Sequence, residues 1–395
     1  MDASMGPAMG LAEICSSLAA AGYSVVFRGF NAIDRFLRLP DLPFIWLETN
    51  ADVAALAKLI DNLRFPGMEI ADAAVDAPGV TCYFRCLETH EKSNCSFPLL
   101  SFSYDWLKRR FYDPLGVYPL LKSIRKGEKV TVTFFRVTYR VGFTEIMDAA
   151  LLLARYGVTP SYSAPPPDDE TPDWSEAPPA PPEVQRAFLN CLLVSKRPDT
   201  ALDFLKTTGF LQALWPELSA FDSVDHSKEF HPEGNVWNHT LETFRYRKAG
   251  ANGAFDLRLS LGLLLHDAGK PVSASFGSHR FDGHAELGAR AARRFLKRLG
   301  YESALIEDIF YLVKNHMLPA ALKRLPLTKT SEIMRSPLFP TLLELYRCDE
   351  SSSFKPLDNY HENSAAYQGY LKNLRNPYRS ADGKKITKGS MGIRE

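Results

Sequence analysis

Between Thr159 and Pro182 the chain carries nine prolines in twenty-four residues, and every charged side chain in that stretch is acidic. Proline has no amide hydrogen and fixes its own φ, so such a run neither propagates a helix nor joins a central strand. It is also too poor in aliphatic side chains to close a core. The chain is therefore expected to fold as two bodies. We read residues 1–156 as a first domain, 157–183 as a proline-rich linker, 184–225 as a helical neck, 226–355 as a second domain and 356–395 as a basic tail.

The two sides of the linker follow different periodicities. On the N-terminal side, residues 11–21 read as a helix ended by Gly22, and Tyr23 to Phe27 as a strand. Residues 52–63 read as a second helix, capped by Thr49 or Asn50. The β-branched and aromatic stretches 79–88 and 129–141 read as strands. On the C-terminal side the apolar spacing is helical throughout, over 184–195, 199–214, 236–248, 256–267, 284–298, 304–316 and 338–350. The expected fold class is thus α+β: an α/β head, a proline-rich linker and an all-α domain.

Composition narrows the function classes. Hydrophobic residues make up 45% of the chain and charged residues 24%, enough for sizeable cores. The formal net charge is +1, so no global field marks a polyanion binder. The last 25 residues do carry seven basic side chains, which could touch a polyanion or simply be solvated. Six cysteines spread over 395 residues fit reduced thiols better than a disulfide framework. Cys82 and Cys86 lack a second ligand pair at zinc-finger spacing, and the alternation around them reads as strand. No secretory signal and no apolar run long enough to span a bilayer is visible, so a soluble cytoplasmic protein with no membrane partner is expected.

The chemistry is concentrated in the helical half. His239, His266, Asp267, His284, His316 and Asp349 each fall at a helix end or on a helix face that turns inward. Such positions let separate helices of a bundle aim side chains at one point. Mixed imidazole and carboxylate donors suit one or two first-row divalent ions or magnesium, and the sequence does not separate manganese, iron, nickel, cobalt, zinc and magnesium. One histidine on an amphipathic helix is ordinarily a satisfied core or surface residue; the ordered set, with Gly269-Lys270 after the His-Asp pair, is what argues for metal. For His284 and His316 the competing role is direct phosphate contact. Asp267, with two oxygens, is the natural bridge between two ions. Lys270 could neutralise a phosphate oxygen or pair with a carboxylate. Glu233 and Glu242 are candidates to orient the ligand histidines.

The order His239…His266-Asp267…Asp349 resembles the HD superfamily of metal-dependent phosphohydrolases. The strings Gly209-Phe-Leu-Gln-Ala-Leu-Trp-Pro-Glu217, His231-Pro-Glu-Gly-Asn-Val-Trp-Asn-His239 and Gly283-His-Ala-Glu-Leu-Gly288 resemble the HD domain of bacterial tRNA nucleotidyltransferases and poly(A) polymerases. That resemblance spans about residues 184–350. It implies that His239, His266, Asp267 and Asp349 bind metal, that His284 and His316 complete a second metal or phosphate site, and that phosphomonoesters or phosphodiesters are cleaved. From their chemistry, Asp267 and Lys270 are the candidate catalytic residues.

Residues 22–60 resemble the opening of the same nucleotidyltransferase family, with departures. The family's second turn glycine is Phe30 here, and the arginine before Asp34 is Ile33. The family's two magnesium-binding aspartates fall at Phe44 and Trp46, and Thr81-Cys82-Tyr83 supplies no third acid. Magnesium demands oxygen ligands, so the head is expected to be a degenerate, inactive nucleotidyltransferase-like domain. Asp105 with Arg109 and Arg110 resembles the family's nucleotide-reading segment, which makes these arginines candidate RNA or phosphate contacts. The string Asp382 to Lys388 resembles the start of the family's tail domain, and its end at Glu395 weakens the case for tRNA. The expected function is metal-dependent hydrolysis of a nucleotide or RNA-end phosphate. The alternatives are a tRNA nucleotidyltransferase-related RNA-processing protein and a non-catalytic RNA binder with a structural metal. Oligomeric state is unreadable.

Overall fold

The computed structural model describes residues 9–67, 71–87, 96–133, 142–161, 180–225, 234–275, 281–353, 356–376 and 378–385. They fall into two compact units: residues up to Leu214 with 249–255, and residues 215–248 with 256 onward.

The first unit contains α1 (Leu11–Ala20), β1 (Val26–Arg28), α2 (Phe30–Leu37), β2 (Phe44–Thr49), α3 (Val53–Leu59), β3 (Ala73–Ala77), β4 (Val80–Cys86), β5 (Ser103–Asp105), β6 (Arg110–Tyr112), α4 (Tyr118–Lys126), β7 (Val130–Thr133), α5 (Phe143–Tyr156), β8 (Val158–Ser161), α6 (Pro182–Leu193), α7 (Pro198–Thr207) and α8 (Phe210–Leu214). Six strands form one sheet in the order β3-β4-β2-β1-β5-β6. Only β2 and β4 run parallel within it. Alternation gives the sheet two unlike faces. Phe27, Ile45, Leu47, Cys82 and Phe84 point into a core shared with Ile14 and Leu18 of α1 and Leu56 of α3. Each such side chain contributes about 1.5–3 kcal/mol by burial. The opposite face carries Arg28, Trp46, Glu48, Tyr83 and Arg85. Asp34 of α2 is bonded there by Arg155 and Tyr156 at the end of α5.

Several expectations need correction. The helix expected over 52–63 stops at Leu59, and its cap is Asp52, whose carboxylate accepts the Ala55 amide 2.6 Å away. A cap needs its oxygen within reach of the N3 amide, which Thr49 and Asn50 are too far upstream to offer. Gly209, at φ +72°, splits the helix expected over 199–214 into α7 and α8. The linker boundary moves inward at both ends. Val158–Ser161 pairs with β7, with Pro160 opposite Val132 in a two-stranded edge where a missing amide is tolerated, and Pro182 opens α6. Residues 134–141 of the expected second strand lie outside the described residues. Cys82 is buried and Cys86 half-buried, and neither joins a donor cluster among the described residues.

The second unit is helical: α9 (Pro216–Ser219), α10 (Val236–Thr243), α11 (Leu257–Leu265), α12 (Lys270–Ser275), α13 (His284–Arg298), α14 (Ser303–Asn315), α15 (Leu327–Arg335), α16 (Phe339–Ser352) and α17 (Asp358–Leu374). Helix α11 is its hub. Leu259 through Leu265 are buried on every side, against α10, α13, α14 and α16. Gly262 makes this possible, since a β-carbon there would lie 2.9 Å from Leu345 of α16. The region expected to be a basic tail instead begins with α17, which buries Asn363, Tyr367 and Tyr370. No described helix is long and apolar enough to cross a membrane.

Candidate metal centre

The end of the buried hub helix decides where the chemistry sits. His266 is the C-cap of α11, and Asp267 follows it; both are 1% exposed. Four other helices bring donors to that point: His239 from α10, His284 from the first position of α13, His316 from the C-cap of α14, and Asp349 from α16. The six side chains form two groups of potential ligands, His239, His266 and Asp349 in one and Asp267, His284 and His316 in the other.

Within the first group, His239 Nε2 lies 3.0 Å from Asp349 Oδ1 and 3.3 Å from His266 Nε2. In the second, His284 Nε2 lies 3.2 Å from His316 Nε2. Ligands bound about 2.1 Å from one ion stand about 3.0–3.4 Å apart, so these edges fit a coordination shell. Asp267 spans the groups. Its Oδ2 is 3.2 Å from His266 Nε2 and 3.8 Å from His239 Nε2, while Oδ1 is 3.7 Å from His284 Nε2 and 4.0 Å from His316 Nε2.

The tautomers follow from the partners. Nδ1 of His266, His284 and His316 lies 2.8, 2.9 and 2.7 Å from the carbonyls of Leu263, Phe281 and Val313. A carbonyl only accepts, so Nδ1 carries the proton and Nε2 offers a lone pair. His239 is held by Ser352, whose Oγ lies 3.2 Å from Nδ1 and donates to the Asp349 carbonyl at 2.6 Å. The Nε2 atoms thus face one another at about hydrogen-bond distance, where a proton or a metal ion is needed to hold them together. That arrangement is repulsive until a cation sits among them, so the donor set fits divalent metal.

Electrostatics agree. Burial alone would raise the Asp267 carboxyl, but the charges of His266 and Lys270 outweigh it and hold Asp267 well below the usual carboxylate range. Asp349 is likewise held low, where the hydrogen bond and charge of His239 overcome burial. Burial and the neighbouring His266 push His316 down to about 4. Neutral imidazoles and ionised carboxylates are the ligand forms. The Asp349 and His284 side chains are 20% and 13% exposed, while the other four donors are buried.

All six expected metal ligands are therefore brought together. Lys270 Nζ donates to Asp267 Oδ2 at 2.6 Å, the carboxylate-pairing role. Glu242 pairs with Arg245 rather than with a ligand histidine, because one helical turn puts that cation closest. Glu233 lies outside the described residues. The orienting groups are backbone carbonyls and Ser352, which carry no sequence signal. Arg109 and Arg110 lie in the first unit, at the β5–β6 turn, and both are exposed.

Comparison with known proteins agrees with this architecture. Residues 236–345 match the HD domain family. The chain is 31% identical over 185 residues to the CC-adding tRNA nucleotidyltransferase of Thermus thermophilus, a match covering 43% of this chain and 41% of that protein. It is 32% identical over 125 residues to the multifunctional CCA protein of Halorhodospira halophila, covering 32% and 29%. The matches thus span well under half of these relatives. Among solved structures, the CCA-adding enzyme of Bacillus stearothermophilus in complex with CTP superposes with a TM-score of 0.53 at 14% identity, covering 91% of this chain and 81% of that one. This is a nucleotidyltransferase-like α/β head followed by a helical region containing an HD domain. The chain is related to the tRNA nucleotidyltransferases.

Proposed function

We propose that this chain is an RNA-processing protein related to the tRNA nucleotidyltransferases, and that its working centre is the HD site, acting as a metal-dependent phosphohydrolase on nucleotide or RNA-end phosphates. The observation that carries the reading is Asp267, a member of one candidate ligand trio, whose Oδ1 is directed to His284 of its own trio and whose Oδ2 is directed to His266 of the other. Divalent ions held there supply Lewis acidity and an activated water for phosphate ester hydrolysis. The protein's own part is positional. His239, His266 and Asp349 would hold one ion, and Asp267, His284 and His316 a second. Lys270 keeps Asp267 ionised and places a positive charge beside the site where a phosphate oxygen would gather charge. Arg109 and Arg110 are phosphate contacts for a longer RNA.

The RNA-processing half of this reading rests on the relatives, a CC-adding tRNA nucleotidyltransferase and a multifunctional CCA protein. The hydrolytic half rests on the donor geometry alone. A panel of 2′,3′-cyclic nucleotides, nucleoside monophosphates and an RNA 3′-phosphate tests it, with metal-reconstituted protein beside Asp267→Ala. Metal-dependent hydrolysis lost in the variant supports the reading. Tight metal binding without turnover on any substrate sinks the phosphohydrolase and leaves a structural metal.

A further inference from the structure

The sheet face of the first unit that turns away from its core is chemically unusual. In the strand register Trp46 of β2 stands beside Tyr83 of β4, and their rings stack with centroids 4.8 Å apart and planes 24° from parallel. Tyr83 is 1% exposed and Trp46 40%, so the tyrosine is a floor that fixes the tryptophan while the indole keeps one side open. Tyr83 is fixed in turn, its hydroxyl donating to Glu183 at 2.7 Å. Along the same face, Arg85 is level with Glu48, Arg110 of the edge strand is level with Asp105, and Tyr112 with Ser103. Tyr112 is 37% exposed, and the Arg110 guanidinium lies over its ring at 5.5 Å. Three strand spacings separate Trp46 from Tyr112, about 14 Å.

The charges on this face are unevenly matched. Glu48 is paired with Arg28, Asp76 with Arg64, and Asp105 with Lys108. Arg85 and Arg110 have no carboxylate partner among the described residues, so the face is left with surplus positive charge. Oxygen ligands are missing too. Among the described residues no three potential ligands of this unit come together, so the face does not fit the magnesium of a nucleotidyl transferase.

We infer that this face is a base-stacking platform for single-stranded RNA. Trp46 and Tyr112 take bases on their open faces, and Arg85 and Arg110 take the flanking phosphates. Pre-stacked indole on a fixed tyrosine costs little ordering on binding, and rings with interleaved arginines on a sheet are the elements of single-strand recognition. The inference rests on the RNA-processing reading only for the choice of polymer.

The test is fluorescence anisotropy of the full chain with a labelled single-stranded oligoribonucleotide of about a dozen residues. The expected result is binding that Trp46→Ala and Tyr112→Ala each weaken roughly tenfold, Trp46→Phe largely restoring it. Arg85→Ala and Arg110→Ala should each lower the slope of log affinity against log salt by about 0.7. A duplex of equal length should compete poorly. Wild-type affinity in both aromatic variants, with unchanged thermal melts, overturns the inference. So does equal competition by duplex or by anionic phospholipid vesicles, which would make the face a plain electrostatic patch. Because binding is read without turnover, hydrolytic inactivity with intact oligonucleotide binding would sink the phosphohydrolase and leave the platform standing.

Discussion

Gly269 and Gly288 meet backbone to backbone. A β-carbon at Gly269 would lie 2.5 Å from the Gly288 amide nitrogen and 1.9 Å from the His284 carbonyl oxygen. A β-carbon at Gly288 would lie 2.9 Å from the Gly269 nitrogen. This contact lets α13 enter close enough to put His284 beside Asp267. Gly269→Ala must push His284 away, so it should cost about 1–3 kcal/mol of stability and abolish binding at the Asp267–His284–His316 group. Gly288→Ala, with the milder clash, should weaken that group while sparing metal binding at His239, His266 and Asp349. Metal counted per chain after gel filtration checks both, and full stoichiometry in Gly269→Ala would refute the argument.

Ser352 links the first ligand to the last, accepting from His239 Nδ1 and donating to the Asp349 carbonyl. It is fully buried. Ser352→Ala leaves the His239 N–H without an acceptor and frees the ring to turn or change tautomer. Partners of this kind are worth about 10–100-fold in metal affinity. A competition titration against a chromophoric chelator should therefore show weakening in that range with little change in fold. An unchanged affinity would mean that packing alone orients His239.

In metal-stripped protein, burial and the neighbouring His266 push the His316 pKa down to about 4 from an ordinary 6.5. The unfolded chain then binds a proton that the folded chain refuses throughout that window. Stability from neutral His316 is complete above about pH 6.5 and is lost as pH falls toward 4, by at most about 3 kcal/mol. His284 is lowered as well, burial being the largest cause, and adds in the same direction. Urea midpoints measured across this range on chelator-treated protein should drop with pH, and His316→Gln should flatten the profile. A profile equally steep in the variant would place the titration elsewhere.

The site was more legible than its supports. Histidine and aspartate at helix ends announce themselves by residue type, so all six candidate ligands could be named before their geometry was known. Ser352 and the carbonyls of Leu263, Phe281 and Val313 could not, since backbone acceptors leave no mark in a sequence. Gly269 and Gly288 stood in recognised strings, but only the helix crossing reveals their contact. In the fold, α5 escaped notice because it is buried on several sides, which blurs a 3.6-residue stripe. Helix α17 escaped because its inward face is built from Asn363, Tyr367 and Tyr370 rather than aliphatic residues.

Asp34 and Arg155 form a deeply enclosed ion pair in the first unit, with side chains 1% and 6% exposed and Arg155 Nε 2.6 Å from Oδ1. Burial dominates, and the Asp34 pKa is raised despite the arginine and the Tyr156 hydroxyl. Oδ2 has no partner. Removing the cation alone leaves an uncompensated carboxylate, so Arg155→Met should destabilise this unit by about 3–5 kcal/mol. Asp34→Asn combined with Arg155→Met should recover part of that loss, because no charge is then buried. Chemical denaturation of the single and double variants gives the cycle, and additive losses would mean that the pair is not coupled.

The first unit is expected to lack nucleotidyl transfer. Its sheet has the nucleotidyltransferase-like fold, yet β2 and β4 present Phe44, Trp46 and Tyr83 in register, and Phe44 and Tyr83 lie 5.7 Å apart between ring centroids. Nearby acids are engaged, Glu48 with Arg28, Asp76 with Arg64 and Thr81, and Glu183 with Tyr83 and Arg64. Nucleotidyl transfer needs metal ions to bridge the triphosphate and neutralise charge at the reacting phosphorus, and aromatic rings offer no ligand for them. Incubation with magnesium or manganese, labelled CTP or ATP, and tRNA lacking its 3′ end should therefore yield no added nucleotide. Trp46→Asp should not create activity, since one carboxylate against two aromatic neighbours builds no ion site. Extension of the RNA by the wild-type chain, abolished by a Glu48→Gln change, would show instead that Glu48 leaves Arg28 to serve as the metal ligand.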